Sequence, residues 1–204
     1  MKAARMYGKE DLRVEKVPAP VPGDEDVLIR VKSAFVCGTD VRMYTNGKAE
    51  IGPERPRVLG HELSGVIENV GSRVEGYSPG ERVAVAPNYG CGTCDLCAGG
   101  NNQLCPNSRA IGVDIDGGFA ELVLVPGPAV RQGNMARIAD SVSFEAAALA
   151  EPLSCVYNAY EKIGIHPGDT VLVIGAGPVG LMHAKLARLA GAAAIYAVSY
   201  THLT

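Results

Sequence analysis

The chain has 204 residues, a formal net charge of −3, 47% hydrophobic residues and 20% charged residues. This near-neutral, globular composition excludes wholesale disorder and lacks the basic surface of proteins that bind nucleic acid or anionic membranes. No apolar run is long enough to span a membrane, and the charged N-terminus lacks the apolar segment of a signal peptide, which indicates a cytoplasmic protein with reduced cysteines.

Short segments rich in valine and isoleucine fill the first 130 residues. Runs of Gly, Pro, Asp and Asn separate them, and this spacing is typical of a small all-β barrel or sandwich. The predicted strands cover residues 1–7, 11–17, 26–36, 65–70, 82–86 and 120–125.

One set of potential metal ligands lies between these strands. Cys37 begins the segment CGTD, and His61 and Glu62 stand in LGHELSG, where another strand starts. A thiolate, an imidazole and a carboxylate are ligand types of a catalytic zinc that keeps one position open for water or substrate. Taken alone, Cys37 also fits a buried thiol, and His61 with Glu62 also fits a pair of surface residues.

Four cysteines share one Gly- and Asn-rich loop in the pattern C-x2-C-x2-C-x7-C. They are Cys91, Cys94, Cys97 and Cys105. Four thiolates can close a tetrahedral zinc site with no open position, which predicts a structural zinc. An iron–sulfur cluster is the alternative, because Pro106 follows the last cysteine as in the bacterial ferredoxin pattern, although the last gap is wider here.

The periodicity changes near residue 141. Ser141 or Ser143 is expected to cap a helix over residues 144–150. Pro152 is expected to open a second helix, whose apolar residues recur at helical spacing as far as Ile163.

Residues 170–198 predict a buried strand, a glycine turn, a helix and a further strand, which is a βαβ unit. In the turn GAGPVG, the first glycine makes the bend, the second lets a pyrophosphate approach, and the third packs the helix on the strand. The alternative is a tight turn that binds no ligand. The candidate cofactor-binding residues are Gly175, Gly177, Pro178, Val179 and Gly180.

Taken together, these motifs resemble the zinc-containing medium-chain alcohol dehydrogenases. The pattern G-H-E-x2-G-x5-G-x2-V runs from Gly60 to Val74, and CGTD, the cysteine loop and GAGPVG occur in that family's order. The resemblance covers residues 1–197 and implies an α+β then α/β architecture. A GroES-like β-rich catalytic domain over residues 1–150 would be followed by the first βαβ part of a Rossmann domain over residues 151–197.

The resemblance also implies roles for individual residues. Cys37 and His61 match catalytic zinc ligands, and either Glu62 or Glu151 matches the third ligand. Thr39 matches the hydroxyl that relays the substrate proton, and Asp40 the carboxylate that orients the metal-bound histidine. Three further positions complete the comparison: Arg42 stands where a histidine is common, Cys155 is interpreted as a core thiol, and Ser199 occupies the position of the ribose-binding acid.

The segment EPLS, which begins at Glu151, together with the complete cysteine loop is most similar to sorbitol and other polyol dehydrogenases, with threonine dehydrogenases next. This implies a zinc-dependent oxidoreductase that passes hydride from a secondary alcohol to NAD or NADP. It implies two zinc ions per chain and a homo-oligomer at full length. The alternatives are a non-catalytic zinc-binding protein and a family member that keeps only the structural zinc.

The last residues look foreign to the rest of the chain. Residues 198–204 read VSYTHLT, which one frame of a common transposon-end sequencing adapter encodes. We therefore expect native sequence to end near Ala197, and we expect the truncated chain to be inactive and prone to aggregation. Ser199 then says nothing about the choice between NAD and NADP.

Overall fold

The computed structural model describes residues 1–200. It divides into two compact units, Met1–Glu151 and a second unit that begins at Pro152. The strands are β1 (Lys2–Gly8), β2 (Asp11–Lys16), β3 (Val27–Phe35), β4 (Arg57–Val58), β5 (Glu62–Val70), β6 (Arg82–Val85), β7 (Asn88–Tyr89), β8 (Arg109–Ala110), β9 (Leu122–Val125), β10 (Met135–Arg137), β11 (Thr170–Ile174) and β12 (Ala194–Val198). The helices are α1 (Gly38–Asn46), α2 (Asp95–Ala98), α3 (Gly127–Arg131), α4 (Phe144–Ala148), α5 (Ala150–Ile163) and α6 (Pro178–Leu189), and Asn102–Leu104 forms a 3-10 turn.

The first unit is built on an antiparallel sheet of five strands in the order β10-β6-β5-β3-β9. Alternate residues of four of these strands point into one core, as the period of two along a strand requires. The buried side chains are Val27, Ile29, Leu63, Ile67, Val83, Val85, Val123 and Val125. The strands predicted from the sequence are confirmed, and this core consists mainly of valine, isoleucine and leucine.

A smaller sheet in the order β2-β1-β4 lies beside a second core. That core contains Met6, Met43, Ile51 and Leu59. Met43 belongs to α1, a helix that the sequence analysis did not predict after the strand at residues 26–36. The sequence gives little indication of this helix, because its capping pattern at Cys37 and Asp40 is the one feature that predicts it.

Two helices close the first unit and lead into the second. Ser143 caps α4, as predicted, and its hydroxyl accepts the N–H of Ala146 at 3.1 Å. The next helix, α5, begins at Ala150, two residues before the predicted start, so that Pro152 lies in its first turn. Proline is tolerated there because the first N–H groups of a helix have no intrahelical partner.

The second unit contains the predicted βαβ arrangement. The strands β11 and β12 pair in parallel, and α6 connects them. Cys155 is exposed on α5, so its interpretation as a core thiol was wrong: Val156, and not its neighbour, turns inward. Of the segment predicted to be foreign, residues 201–204 lie outside the described residues. No helix within residues 1–200 is long and apolar enough to cross a membrane.

Candidate metal centres and cofactor turn

The four cysteines of the loop between β7 and β8 come together around one point. Their ligand atoms all lie within 4.8 Å of one another. The Sγ atom of Cys94 is 3.5 Å from that of Cys97 and 3.8 Å from that of Cys105. A tetrahedron with Zn–S bonds of about 2.3 Å has sulfur–sulfur edges of about 3.8 Å. The spacing therefore suits one ion shared by four thiolates, whereas the cysteines of a cluster bind separate iron atoms farther apart.

The acidities of these thiols differ sharply. Hydrogen bonds from Thr93 and Cys94 lower the pKa of Cys91 to about 6. Burial, together with the neighbouring sulfur atoms, raises the pKa of Cys97 to about 11. Four thiols this close cannot all ionise without a cation, because each thiolate opposes the ionisation of the next. This chemistry fits a bound zinc ion.

A glutamine side chain holds the backbone just before the cysteine lobe, which we define as residues 91–105. The side-chain amide of Gln132 accepts the N–H of Gly90 and donates to its carbonyl, both at 3.0 Å. A Cβ atom on Gly90 would lie 2.4 Å from the Sγ atom of Cys97. Only glycine therefore allows the chain to pass so close to the sulfur cluster before the first ligand.

The second group of ligands is assembled by strand pairing. Phe35, the last residue of β3, is paired in antiparallel register with Glu62, the first residue of β5. The end of one strand and the start of the next therefore share an edge, which places Cys37 beside His61 and Glu62. Their ligand atoms lie within 4.8 Å of one another. An ion at about 2.0 to 2.3 Å from each atom spans separations of this size.

A buried carboxylate lies beside the histidine of this group. Asp40 accepts the N–H of Cys37 at 2.9 Å and that of Gly60 at 3.2 Å. Its Oδ1 atom lies 3.5 Å from Nδ1 of His61, and that buried Nδ1 has no hydrogen bond to any part of the chain that the structure describes. Asp40 thus faces one ring nitrogen, and the other is left for a metal, as in most histidine ligand sites.

The group carries an excess of negative charge. Burial alone would lower the pKa of His61, but Asp40, Glu151 and Glu62 together raise it. Burial also raises the pKa of Glu151, and the charges of Glu62 and Asp40 add to that effect. Three carboxylic acids and a thiol thus surround one imidazole. A divalent cation would offset this charge, so the residues fit a metal ion.

Thr39 lies against the cysteine ligand. Burial raises the pKa of the Cys37 thiol and outweighs the N–H and the hydroxyl of Thr39, which lower it. Thr39 is itself partly exposed at the start of α1.

The glycine turn of the second unit has the form that a dinucleotide requires. Gly175 bends the chain with a φ of +108°, and Gly177 precedes α6 with open space where a Cβ atom would stand. A Cβ atom on Gly180 would lie less than 2 Å from the carbonyl oxygen of Gly175. The helix therefore packs tightly on the strand, and its N-terminal N–H groups stay open to a phosphate. Pro178 and Val179 form its first turn.

Comparison with known proteins agrees with these features. The alcohol dehydrogenase GroES-like domain matches residues 23–133. A sorbitol dehydrogenase of Bacillus subtilis (strain 168) is 39% identical over 197 residues, which cover 96% of this chain and 54% of that protein. An L-threonine 3-dehydrogenase of Rhizobium johnstonii is 40% identical over 182 residues, which cover 89% of this chain and 51% of that protein.

The chain belongs to the zinc-containing medium-chain alcohol dehydrogenases. It spans about half the length of the curated relatives that it matches. Among solved structures, a Sinorhizobium meliloti 1021 protein assigned as a zinc-binding dehydrogenase and bound to NADP superposes with a TM-score of 0.87 at 37% identity, covering 96% of this chain and 55% of its own. For 2R,3R-butanediol dehydrogenase from Bacillus subtilis the TM-score is 0.83 at 32% identity, covering 96% and 57%.

Two residues on the strands next to the group Cys37, His61 and Glu62, called here the mixed-ligand site, were not singled out from the sequence. Ser64 is fully buried on β5, and Arg82 on β6 binds the segment that leads into α4. A hydroxyl two residues after Glu62, on the same face of a strand, is the signal that could have identified Ser64. Arg82 gives no signal in the sequence, because its partners are backbone carbonyls far along the chain.

Proposed function

We propose that the protein carrying these residues is a zinc-dependent dehydrogenase that oxidises a secondary alcohol, a polyol or a hydroxy-amino acid, with NAD or NADP as hydride acceptor. The observation that carries the proposal is the convergence of Cys37, His61 and Glu62 in a chain that has a separate four-thiolate lobe. The sorbitol and threonine dehydrogenases among its relatives support the substrate class.

In this proposal the two groups of ligands differ in role. Cys91, Cys94, Cys97 and Cys105 would hold a structural zinc, since four thiolates leave no position for a substrate. Cys37, His61 and Glu62 would hold the catalytic zinc, and Glu151, which lies outside this group of ligand atoms, would add its charge to the site. When bound, that zinc would act as a Lewis acid that lowers the pKa of the substrate hydroxyl.

The chain's own residues would orient the ligands and move the proton. Asp40, whose Oδ1 lies 3.5 Å from Nδ1 of His61, would orient the ring and leave the opposite nitrogen for the ion. Thr39 would accept the proton of the substrate hydroxyl and pass it toward solvent. Gly175, Gly177 and Gly180, with Pro178 and Val179, would bind the pyrophosphate of the cofactor, whose nicotinamide supplies the hydride chemistry.

The same proposal expects no turnover from the 204 residues alone. A dinucleotide-binding domain of this kind contains about six parallel strands, and the described part of the second unit contains the pair β11 and β12. We therefore propose that activity belongs to the longer protein. Turnover by a purified, monomeric preparation of the 204 residues would contradict this part.

Metal analysis and turnover together test the proposal. The source locus is read past codon 197, and the encoded protein is assayed for NAD- and NADP-dependent oxidation of polyols and of L-threonine. We expect two zinc ions per chain, one of which is lost in Cys37→Ser together with activity. The matched control is Cys155→Ser, which replaces an exposed cysteine outside both ligand groups.

The alternatives make different predictions in the same experiment. One zinc ion per chain, unchanged by Cys37→Ser, would support a member that retains only the structural zinc. Two zinc ions without turnover of any secondary alcohol by the longer protein would support a non-catalytic zinc-binding protein. If the reading frame ends at VSYTHLT and a stop codon, the enzyme proposal fails for this protein.

A further inference from the structure

A buried serine connects a strand that carries a metal ligand to the helix beside it. Ser64 is fully buried, and its hydroxyl donates to the carbonyl of Phe144, the first residue of α4, at 2.6 Å. Side chains alternate along a strand, so Glu62 and Ser64 share one face of β5 while Leu63 points into the core on the other face. The face that carries Glu62 is therefore the face to which α4 is fixed.

A second residue holds the same segment from the neighbouring strand. The guanidinium of Arg82 donates to the carbonyls of Ala139 at 2.8 Å and Val142 at 2.5 Å. It also lies over the ring of Phe144, 4.5 Å from its centroid. Residues 139–144, which lead into α4, are thus held by β5 and by β6, two strands that pair directly.

The contact of α4 with the sheet leaves little freedom to the start of α5. The buried residues of α4, Ala147 and Ala148, are small and let this helix lie close to the strands. Only Leu149 separates α4 from α5, and Glu151 lies in the first turn of α5.

We propose that Ser64 is a positioning residue of the mixed-ligand metal centre: by fixing the start of α4 to the strand that carries Glu62, it sets the position of Glu151, in the first turn of α5, relative to that strand. The hydroxyl of Ser64 is already bonded to the Phe144 carbonyl, so it is not a metal ligand. Ser64 acts instead through the position of Glu151. The inference rests on the proposed function, because it assumes that this centre binds a divalent metal.

The affinity of the centre for Co²⁺ tests the inference without an activity assay. Co²⁺ is titrated into the longer protein after the mixed-ligand site has been emptied, and its absorption spectrum reports occupancy and ligand geometry. We expect Ser64→Ala to weaken Co²⁺ binding about tenfold and to alter the spectrum, as loss of a residue that supports a ligand does elsewhere. The cysteine lobe should keep its zinc.

A matched serine controls for the loss of a hydrogen bond as such. The hydroxyl of Ser72 donates to Asp24 at 2.9 Å on the surface. Ser72→Ala should leave Co²⁺ affinity and spectrum unchanged. An equal loss of affinity in both variants would overturn the inference.

The deciding measurement repeats Ser64→Ala in a Glu151→Gln background. If Ser64 acts through Glu151, its tenfold effect should nearly vanish there, because coupled residues are not additive. A tenfold effect that persists shows a general structural role and overturns the inference. Should Ser64→Ala fail to fold, Arg82→Gln replaces it, with a smaller effect expected in the same direction and the same loss of that effect in Glu151→Gln.

Failure of the proposed function would look different. In that case the unaltered protein would bind no Co²⁺ at the mixed-ligand site, and Cys37→Ser would change nothing. Normal Co²⁺ binding that Ser64→Ala leaves unaffected would overturn the role of Ser64 alone.

Discussion

The two groups of metal ligands are built in opposite ways. The cysteine lobe draws its four ligands from one loop, and its framework is a pair of two-residue strands, β7 and β8. The mixed-ligand site takes its residues from the segment after β3 and from the start of β5. A local site depends on its metal for its shape, whereas a site made by strand pairing has its shape from the fold. The two should therefore respond differently to the loss of metal or of a ligand.

The largest effect is expected in the cysteine lobe. Cys105→Ser removes the buried member of the four ligands and should cost about 4 kcal/mol of the free energy of unfolding, because a structural zinc contributes directly to folding. Zinc content and thermal unfolding measure the effect, with Cys155→Ser as the control. Cys37→Ser should remove one zinc ion with a much smaller change in stability. Equal destabilisation by both variants would remove the contrast between the sites.

A glycine next to the mixed-ligand site gives the next largest effect. Gly60 has a φ of +92°, and a Cβ atom there would lie 2.5 Å from the ring of Phe119. Gly60→Ala should cost about 3 kcal/mol through strain and overpacking together. Gly76→Ala is the control, since Gly76 has a φ of +79° with open space around it and should cost only about 1 kcal/mol. Urea unfolding measures the free energy of unfolding of both variants. Equal losses would mean that the Phe119 ring moves aside without cost.

Asp40 should affect both the fold and the metal, but more moderately. Asp40→Asn keeps the size of a buried side chain that accepts two backbone N–H groups. The loss of charge should cost about 2 kcal/mol of stability and weaken metal binding at the mixed-ligand site about tenfold. Urea unfolding and Co²⁺ titration measure these quantities. Unchanged affinity would show that Asp40 serves only to cap α1.

The smallest effect concerns an ion pair between the segments that follow α1 and β8. Lys48, beyond α1, donates to Asp114, beyond β8, at 2.8 Å. Burial alone would raise the pKa of Asp114, but Lys48 and the N–H of Ala110 lower it. A lowered folded pKa gives stability that is present above the unfolded pKa of about 3.9 and is lost as the pH falls through the folded value.

Lys48→Met should therefore cost at most about 1 kcal/mol near pH 6, because both side chains are partly exposed. The difference between the two proteins should shrink below about pH 4 and disappear in stronger acid. Unfolding measured across this range checks the sign. A difference that stays constant with pH would show that only the packing of the Lys48 side chain matters.

Most of the sheet could be predicted from the sequence, because its strands have clear boundaries. Valine-rich segments between Gly and Pro runs matched β1, β2, β3, β5, β6 and β9. The short strands and α1 could not be predicted, since their stability comes from contacts and not from composition. Helix α1 has one buried hydrophobic residue, Met43, and too few others to show a helical period.

The ligand groups differ in the same respect. The spacing of Cys91, Cys94, Cys97 and Cys105 was sufficient to predict a shared ion, because chain connectivity brings such neighbours together. Cys37 and His61 needed a family resemblance to be linked, since the pairing of Phe35 with Glu62 is a property of the sheet. The hydrogen bond that anchors α4 to Ser64 also joins residues far apart in the chain, so it could not be predicted from the sequence.

The antiparallel pairing of Phe35 with Glu62 also bears on the order in which the two ions are acquired. The cysteine lobe closes a loop of 14 residues, from Cys91 to Cys105. The mixed-ligand site joins Cys37 to Glu62, a span about twice as long, which adds about 0.5 kcal/mol of loop-closure entropy in an unfolded chain. During synthesis the lobe can capture zinc as soon as its own loop has emerged. The mixed-ligand site needs the pairing of β3 with β5, so under the proposed function an early intermediate would carry one metal ion, in the cysteine lobe.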